Sequence, residues 1–169
     1  MHIRISAALV LLMLISAPRR GSANTFNITL TVAAGDHKQT ASSAVDIAKD
    51  HSSPVRPAMQ AAPGQRFTAR WKVTCIGKEP LKDVLVHFYV VRIDKLGQAP
   101  PALEPQEVVI ESAQTMDFAA GSTTSAELQF KPDHAGIYLI RVEAQGAADG
   151  DGHEDFAALD LVVKEGESK

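Results

Sequence analysis

Apolar and polar residues alternate in a long stretch near the C-terminus, residues 131–145, which reads KPDHAGIYLIRVEAQ. A Pro-Asp turn signal opens the stretch, and a strand pattern of period two follows it. One face of that strand would carry Tyr138, Ile140, Val142 and Ala144. Arg141 and Glu143 would point to the opposite face, because successive strand side chains alternate. We expect the other strands of the chain to pack around this one.

Four more stretches show the same alternation, and they comprise residues 26–32, 67–75, 122–130 and 155–164. In the second of them, Trp71 and Cys75 share the apolar face, whereas Arg70 and Lys72 lie on the polar face. In the last, Asp160 falls on the polar face. One apolar and one polar face per strand is typical of antiparallel sheets that pack on one side only.

Residues 81–94 predict a strand of a different kind, because both of its faces are apolar. Val84, Val86, Phe88 and Val90 would lie on one face, and Leu85, Tyr89 and Val91 on the other. A strand with two apolar faces is expected to be central and covered on both sides. Residues 106–110 and 115–118 predict two short strands, which we expect at a sheet edge.

Seven or eight short strands, separated by turn signals and with almost no helix, predict the all-β class. The expected architecture is an antiparallel Ig-like β-sandwich. A closed barrel fits less well, since the strands are uneven and two loops are long. We assign the sandwich to residues 63–165, an N-terminal strand to 24–34, a long flexible loop to 35–62 and a tail to 166–169. The N-terminal strand is then either part of the sandwich or an appendage to it.

Residues 1–23 are predicted to be a signal peptide. A short basic start precedes the nine-residue apolar run 7–15, which is well below the roughly 20 residues needed to span a bilayer. Small residues precede a cleavage point ahead of Asn24. The alternative is an uncleaved membrane anchor. We therefore expect a secreted or periplasmic protein, in which removal of 23 of the 169 residues leaves a single domain of 146.

The charge of the chain argues against one class of partner. The signal segment holds three Arg and no acidic residue, so its removal shifts the net charge from −3 to −6. A nucleic-acid partner would require a basic surface, so we do not expect this acidic chain to bind nucleic acid. No other apolar run reaches membrane length, so we expect no membrane span after signal removal. The single cysteine, Cys75, excludes a disulfide within the chain and is expected in the core.

Three stretches together resemble bacterial extracellular Ig-like or fibronectin type III-like modules, over about residues 63–164. They are the segment from Gly64 to Trp71, the doubly apolar strand at 84–91 and the run 136–142, GIYLIRV. In that family a Gly-x-Tyr begins the penultimate strand, and the resemblance implies that the Tyr138 hydroxyl ties the start of that strand. The chain departs from true Ig domains in carrying Ile140 where they have a Cys. Its Trp71 also lies one strand earlier than the Ig tryptophan.

Five residues form a candidate metal site, namely His134, His153, Asp149, Asp151 and Asp155. Carboxylates at alternate positions of a loop are typical of calcium sites. An EF-hand would need Gly and Glu where Glu154 and Asp160 stand, so that motif is absent. A blue-copper site would need a Cys close to one of the histidines, and Cys75 is on an early strand. The alternative is a solvated acidic loop.

No nucleophile elbow, phosphate-binding loop or Cys-x-x-Cys is present, so we expect neither an enzyme nor a cofactor. The main hypothesis is a secreted, non-catalytic module that binds another protein or a component of the cell envelope. Loops at one end of the sandwich, or an edge strand, would form the contact. One alternative is a small periplasmic metal-binding or carrier protein that uses the loop His and Asp residues. A second is a carbohydrate-binding accessory domain, although the single Trp is expected to point inward.

Two further features leave alternatives open. The polar strand face formed by Arg66, Thr68, Arg70 and Lys72 is either an ordinary solvated face or a contact stripe for an acidic partner. The Pro-rich segment 99–105 is either a contact loop or a stiff connection.

The predicted signal peptide can be tested through its cleavage site. When the full chain is produced in an exporting bacterial host, N-terminal sequencing of the exported protein should give Asn24 as its first residue, because the small residues before it fit the peptidase. A full-length chain retained in the membrane fraction would instead favour the uncleaved anchor.

Overall fold

A computed structural model describes residues 25–43, 56–146 and 154–165, and the predicted signal peptide lies outside these ranges. The described residues form an all-β sandwich, as predicted, with nine strands in two sheets. The strands are β1 Phe26–Ala34, β2 His37–Ser42, β3 Ala58–Ala61, β4 Phe67–Cys75, β5 Leu81–Ile93, β6 Val108–Phe118, β7 Thr123–Phe130, β8 Gly136–Gln145 and β9 Glu154–Val163. In this part of the chain, no helix is long and apolar enough to cross a membrane.

The four-stranded sheet has the order β2-β1-β4-β7, and the five-stranded sheet has the order β3-β9-β8-β5-β6. All neighbouring strands are antiparallel except β3 and β9, which are parallel. The strand β8, which the sequence singled out, lies in the middle of the larger sheet. The predicted all-β class is confirmed. The structure adds β2 and β3, joins the two short strands predicted at 106–110 and 115–118 into β6, and makes one pairing parallel.

The core lies between the two sheets, on the faces that the alternation predicted. The Trp71 ring stacks on the Phe88 ring of the opposite sheet, with centroids 4.5 Å apart and an interplanar angle of 1°. Phe26 and Phe118 meet edge to face at 5.3 Å. Full burial of one such side chain contributes about 1.5–3 kcal/mol, so this packing is the main stabilising interaction of the fold. Cys75 is a buried free thiol within it, as expected.

The predicted loop 35–62 is corrected by two strands within it. β2 pairs with β1, and β3 pairs with β9 along only four residues. Both are edge strands, and most β2 positions are polar, so neither leaves an alternating apolar pattern in the sequence. β1 is no appendage, since it pairs with β2 and β4 in the sheet interior. Residues 44–55 of the predicted loop lie outside the described residues.

A second correction concerns the outer face of the five-stranded sheet. Asp160, Arg141 and Glu143 lie on the face that the alternation predicted, but their exposures are only 1%, 5% and 8%. A second apolar cluster shares this face and is formed by Tyr89, Val91, Ile93, Leu139 and Ala158. Leu103 of the β5–β6 connection packs against that cluster, so the sheet is covered on this side as well. The predicted two-sided coverage of β5 is confirmed.

The start of β8 shows the hydrogen bond that the family resemblance implied. The Tyr138 hydroxyl donates to the carbonyl oxygen of His134 at 2.9 Å, four residues upstream. Burial raises the pKa of Tyr138, which keeps the phenol protonated and able to donate. This arrangement is the tyrosine corner of Ig-like sandwiches.

The hydrogen bond of the tyrosine corner allows a prediction of how much stability the Tyr138 hydroxyl contributes. Tyr138→Phe should lower the free energy of unfolding in urea by about 0.5–1.5 kcal/mol, since it deletes one well-placed hydrogen bond. The matched comparison is Tyr89→Phe, because that ring is equally buried but its hydroxyl donates a longer hydrogen bond, at 3.5 Å to Glu143, and its removal should cost less. An unchanged stability for Tyr138→Phe, or an equal loss for both variants, would contradict the role of the corner.

Candidate functional site at one end of the sandwich

Three chain segments meet at the end of the sandwich where β5 and β9 finish and β6 and β8 begin. They are residues 94–107 between β5 and β6, residues 131–135 between β7 and β8, and Arg56 just before β3. We call this region the loop end. The connection 94–107 contains the Pro-rich segment 99–105, which restricts its backbone.

The buried carboxylate of Asp160 fixes this connection to the sheet. Its Oδ2 accepts a hydrogen bond from the Gly97 amide at 2.7 Å. Its Oδ1 lies 2.9 Å from Arg56 Nη2, and the same nitrogen donates to the Gln98 carbonyl at 2.7 Å. One carboxylate and one guanidinium therefore connect β9, the segment before β3 and the β5–β6 connection.

The ion pair of Arg56 and Asp160 is largely removed from water, with side-chain exposures of 13% and 2%. Its separation is that of an ion pair, but its angles are outside hydrogen-bond geometry, so Asp160 Oδ1 and Arg56 Nε lack hydrogen bonds among the described residues. A buried pair adds little net stability, whereas loss of one partner typically costs 3–5 kcal/mol because the other charge stays buried. The pair is thus better understood as a device that fixes geometry.

An open cleft of about 480 Å³ lies between the connection 94–107 and the five-stranded sheet. Its floor includes Ile93 and Ile137, and Pro101 forms part of the wall opposite. Arg92 and Glu104 also line the cleft. A cleft of this size with an apolar floor and a few charged groups is typical of a recognition site.

Gly136 positions the side chain of Arg92 at the mouth of this cleft. Its φ of 153° lies in a region that favours glycine, and a Cβ there would come within 3.2 Å of Arg92 Nε. The guanidinium therefore packs against the glycine, and a side chain there would require Arg92 to shift by a few tenths of an ångström. The Arg92 amide also donates to the Glu107 carbonyl at 2.9 Å, which holds the end of the connection against β5.

A second cleft of about 280 Å³ adjoins the first, and Arg92 and Glu107 line both. His134 and Tyr138 lie on its far side. Lys131 pairs with Asp133 at 2.8 Å, and this hydrogen bond holds the pKa of the Asp133 carboxyl below its usual value. The two clefts form one concave surface with Arg92 at its centre.

One large apolar side chain is exposed beside this surface. Leu96, in the connection, has 52% of its surface exposed, and Ile76, at the opposite end of the sandwich, has 53%. They are the exposed large apolar residues of the described ranges. A single exposed leucine is ordinary on a protein surface, so the interest of Leu96 lies in its place in the connection 94–107, which lines the first cleft.

A polar network lies on the same sheet below the loop end and joins β5, β6 and β8. His87 Nε2 lies 2.8 Å from Glu111 Oε1, and His87 Nδ1 lies 3.3 Å from Glu143 Oε1. Arg141 Nε donates to Glu143 Oε2 at 2.6 Å. Burial raises the pKa of Tyr89, which borders the network, to about 12, so its phenol is neutral at physiological pH. Each carboxylate of the network has a basic side chain within ion-pair distance, and we assign the network a structural role.

The structure separates two of the residues predicted to bind a metal. His134 precedes β8, whereas Asp155 pairs in register with Ala144 near the other end of that strand. β8 has ten residues, so roughly 30 Å separates its ends, and the two side chains cannot share an ion. The Asp155 carboxylate instead accepts from the amides of Thr25 and Phe26 at 2.8 and 2.7 Å, which fixes the start of β1.

The other three predicted ligands, Asp149, Asp151 and His153, lie outside the described residues, so a metal site there stays a prediction. Gly146 and Glu154, which flank this segment, lie at the opposite end of β8 and β9 from His134. Within the described ranges, no group of three or more His, Cys, Asp or Glu residues could hold a metal ion.

The sequence identified some of the loop end and missed the rest. The sequence pattern points to His134 and to the Pro-rich segment, but it places Asp160 on a polar strand face and does not distinguish Arg92. A carboxylate in an otherwise apolar strand pattern was the available signal for Asp160. For Arg92 the available signal was Gly136. A glycine is needed there because Arg92, on a strand distant in sequence, packs against it.

Comparisons with known proteins bear on the fold alone. No family model matches the chain, and no curated protein matches it. The C-terminal domain of Wzt is similar at a TM-score of 0.45 and 10% identity, over 81% of this chain and 71% of that one. The ASH/PapD-like domain of human CEP192 is similar at a TM-score of 0.41 and 13% identity, over 98% and 99% of the two chains. The assignment of the described residues to an all-β sandwich rests on their own strands and sheets.

Proposed function

We propose that this chain is an exported, non-catalytic module of the extracellular Ig-like kind that binds a partner protein in the cell envelope through the loop end. The main support for the proposal is the connection 94–107. The Asp160 carboxylate fixes this connection, and two adjoining clefts lie beside it around Arg92. Binding residues are disproportionately found on loops that a rigid scaffold positions. A loop that is already ordered in the free protein also loses less conformational entropy on association.

The charges of the loop end favour a partner of a particular character. Asp94, Glu104 and Glu107 line the first cleft together with the single cation Arg92. An apolar floor with a surplus of carboxylates suits a partner that inserts an aliphatic or basic side chain. Leu96 would then pack against the partner beside the cleft, as apolar anchors do in interface cores.

The same proposal includes a non-catalytic role for the module. The resolved pKa shifts at the loop end are those of Asp133 and Tyr138, and each has a local cause in an ion pair or in burial. Neither residue is paired with a nucleophile among its described contacts. These features support a binding surface in preference to an active site.

Two exposed apolar residues at opposite ends of the molecule provide a matched test. Leu96→Glu should reduce capture of the partner from a native envelope extract at least tenfold, because it places a charge in the interface. Ile76→Glu, with the same exposure and the same chemistry, should leave capture unchanged. Both changes are on the surface, so the melting temperatures should stay close to that of the native chain.

Quantitative mass spectrometry of the captured proteins supplies the readout. A companion lost with Leu96→Glu and retained with Ile76→Glu supports the proposal. Equal capture by both variants, or the lack of any reproducible companion, counts against it.

A further inference from the structure

The outward side of the four-stranded sheet carries a regular array of hydroxyl groups. Alternate residues of its four strands point away from the core, and their register places eight Thr and Ser side chains on this side. They are Thr29, Thr31, Thr40, Ser42, Thr68, Thr74, Thr123 and Ser125. None of them is buried, and we call this surface the hydroxyl face.

The hydroxyls are arranged in rows across the strands. Thr31 Oγ1 lies 3.0 Å from Thr40 Oγ1, and Thr74 Oγ1 lies 2.9 Å from Thr123 Oγ1. Rows on one face of a sheet repeat about every 6.8 Å along the strands, and neighbouring strands are about 4.8 Å apart. Threonine is stiff at χ1, so the face presents hydrogen-bonding groups at fixed positions.

Cations are interspersed with the hydroxyls on this face. Lys38, Arg70 and Lys72 project from it, against the single carboxylate of Glu127 among the four described strands. The chain as a whole has a net charge of −3, so this face is locally basic on an acidic protein.

A shallow groove of about 640 Å³ runs across the middle of the face. Its lining includes Thr29, Thr31, Arg70, Lys72, Ser125 and Glu127. Arg70 pairs with Glu127, but both side chains are well exposed, at 66% and 45%, and such pairs are readily replaced. Lys72 has no carboxylate within ion-pair distance among the described residues.

The chemistry of the face disfavours two common classes of macromolecule. Protein interfaces depend on buried apolar or aromatic anchors, and the exposed large apolar residues of the described ranges, Ile76 and Leu96, lie elsewhere. Nucleic-acid binding depends on several phosphate contacts from basic side chains and often on aromatic stacking, and the three cations of this face, offset by Glu127 and without an exposed ring among its described residues, suit it poorly. Rows of hydroxyls with interspersed cations instead complement a polymer that is both hydroxylated and carboxylated.

We propose that the hydroxyl face binds an acidic polysaccharide of the uronic-acid type along the groove. Lys72 and Arg70 pair with its carboxylates, and the Thr and Ser rows hydrogen-bond its hydroxyls. A repeating polymer offers the same groups many times, so weak single contacts add up to useful avidity. This binding site is on the opposite sheet from the loop end and does not depend on a protein partner.

The test uses three polymers and affinity electrophoresis of the full chain. Polygalacturonate carries both carboxylates and hydroxyls, dextran carries hydroxyls alone, and polyglutamate carries carboxylates alone. The native chain should be retarded by polygalacturonate and much less by the other two. The double variant Arg70→Gln/Lys72→Gln should bind at least tenfold more weakly, and Thr29→Val/Thr31→Val, which keeps the charge, at least threefold more weakly.

The matched control is Lys78→Gln/Lys82→Gln, which makes a similar change of net charge on exposed residues outside the face. It should bind polygalacturonate like the native chain, as should Leu96→Glu. Equal retardation by polyglutamate, equal retardation by dextran, an equal loss in the lysine control, or no retardation by polygalacturonate would each overturn the proposal.

Discussion

The loop end depends on the carboxylate of Asp160, which is held almost without solvent contact beneath the β5–β6 connection. Because the side chain is buried, its polar partners are the Arg56 guanidinium and the Gly97 amide. These partners belong to segments distant in sequence, and the connection is thereby placed against the sheet. The clefts around Arg92 exist because that connection is held in one position.

The tyrosine corner and the inter-sheet packing provide the scaffold beneath it. Tyr138 fixes the start of β8, and the stack of Trp71 on Phe88 fixes the two sheets against each other. The five-stranded sheet is then covered on both sides, by the other sheet and in part by the connection. The four-stranded sheet keeps an open outward face, which is where its polar rows and its cations lie.

Much of this fold follows from the sequence because its strands alternate strictly. The inner faces of β1, β4, β8 and β9 were predicted residue by residue, and so was the two-sided burial of β5. The edge strands β2 and β3 were missed, since a strand that is paired on one side and partly solvated needs little apolar pattern.

The site was less predictable for a physical reason. Alternation assigns Asp160 and Glu143 to the correct side of their strands, but the covering of that side depends on tertiary contacts. Arg92 and Gly136 show the same limit, because their contact joins residues 44 positions apart. His134, proposed from the sequence as a metal ligand, lies exposed before β8, and its separation from Asp155 is visible only from the strand register.

Amide hydrogen exchange of Asp160→Asn tests the central claim most directly. Asn offers one acceptor oxygen where Asp has two, so either the Arg56 contact or the Gly97 hydrogen bond must be lost. We expect faster exchange at Gly97 and at Glu107, whose amide donates to the Glu104 carbonyl within the connection at 2.9 Å, while the amides of β8 keep their native protection. Unchanged exchange in the connection, or a uniform loss of protection across both sheets, would contradict it.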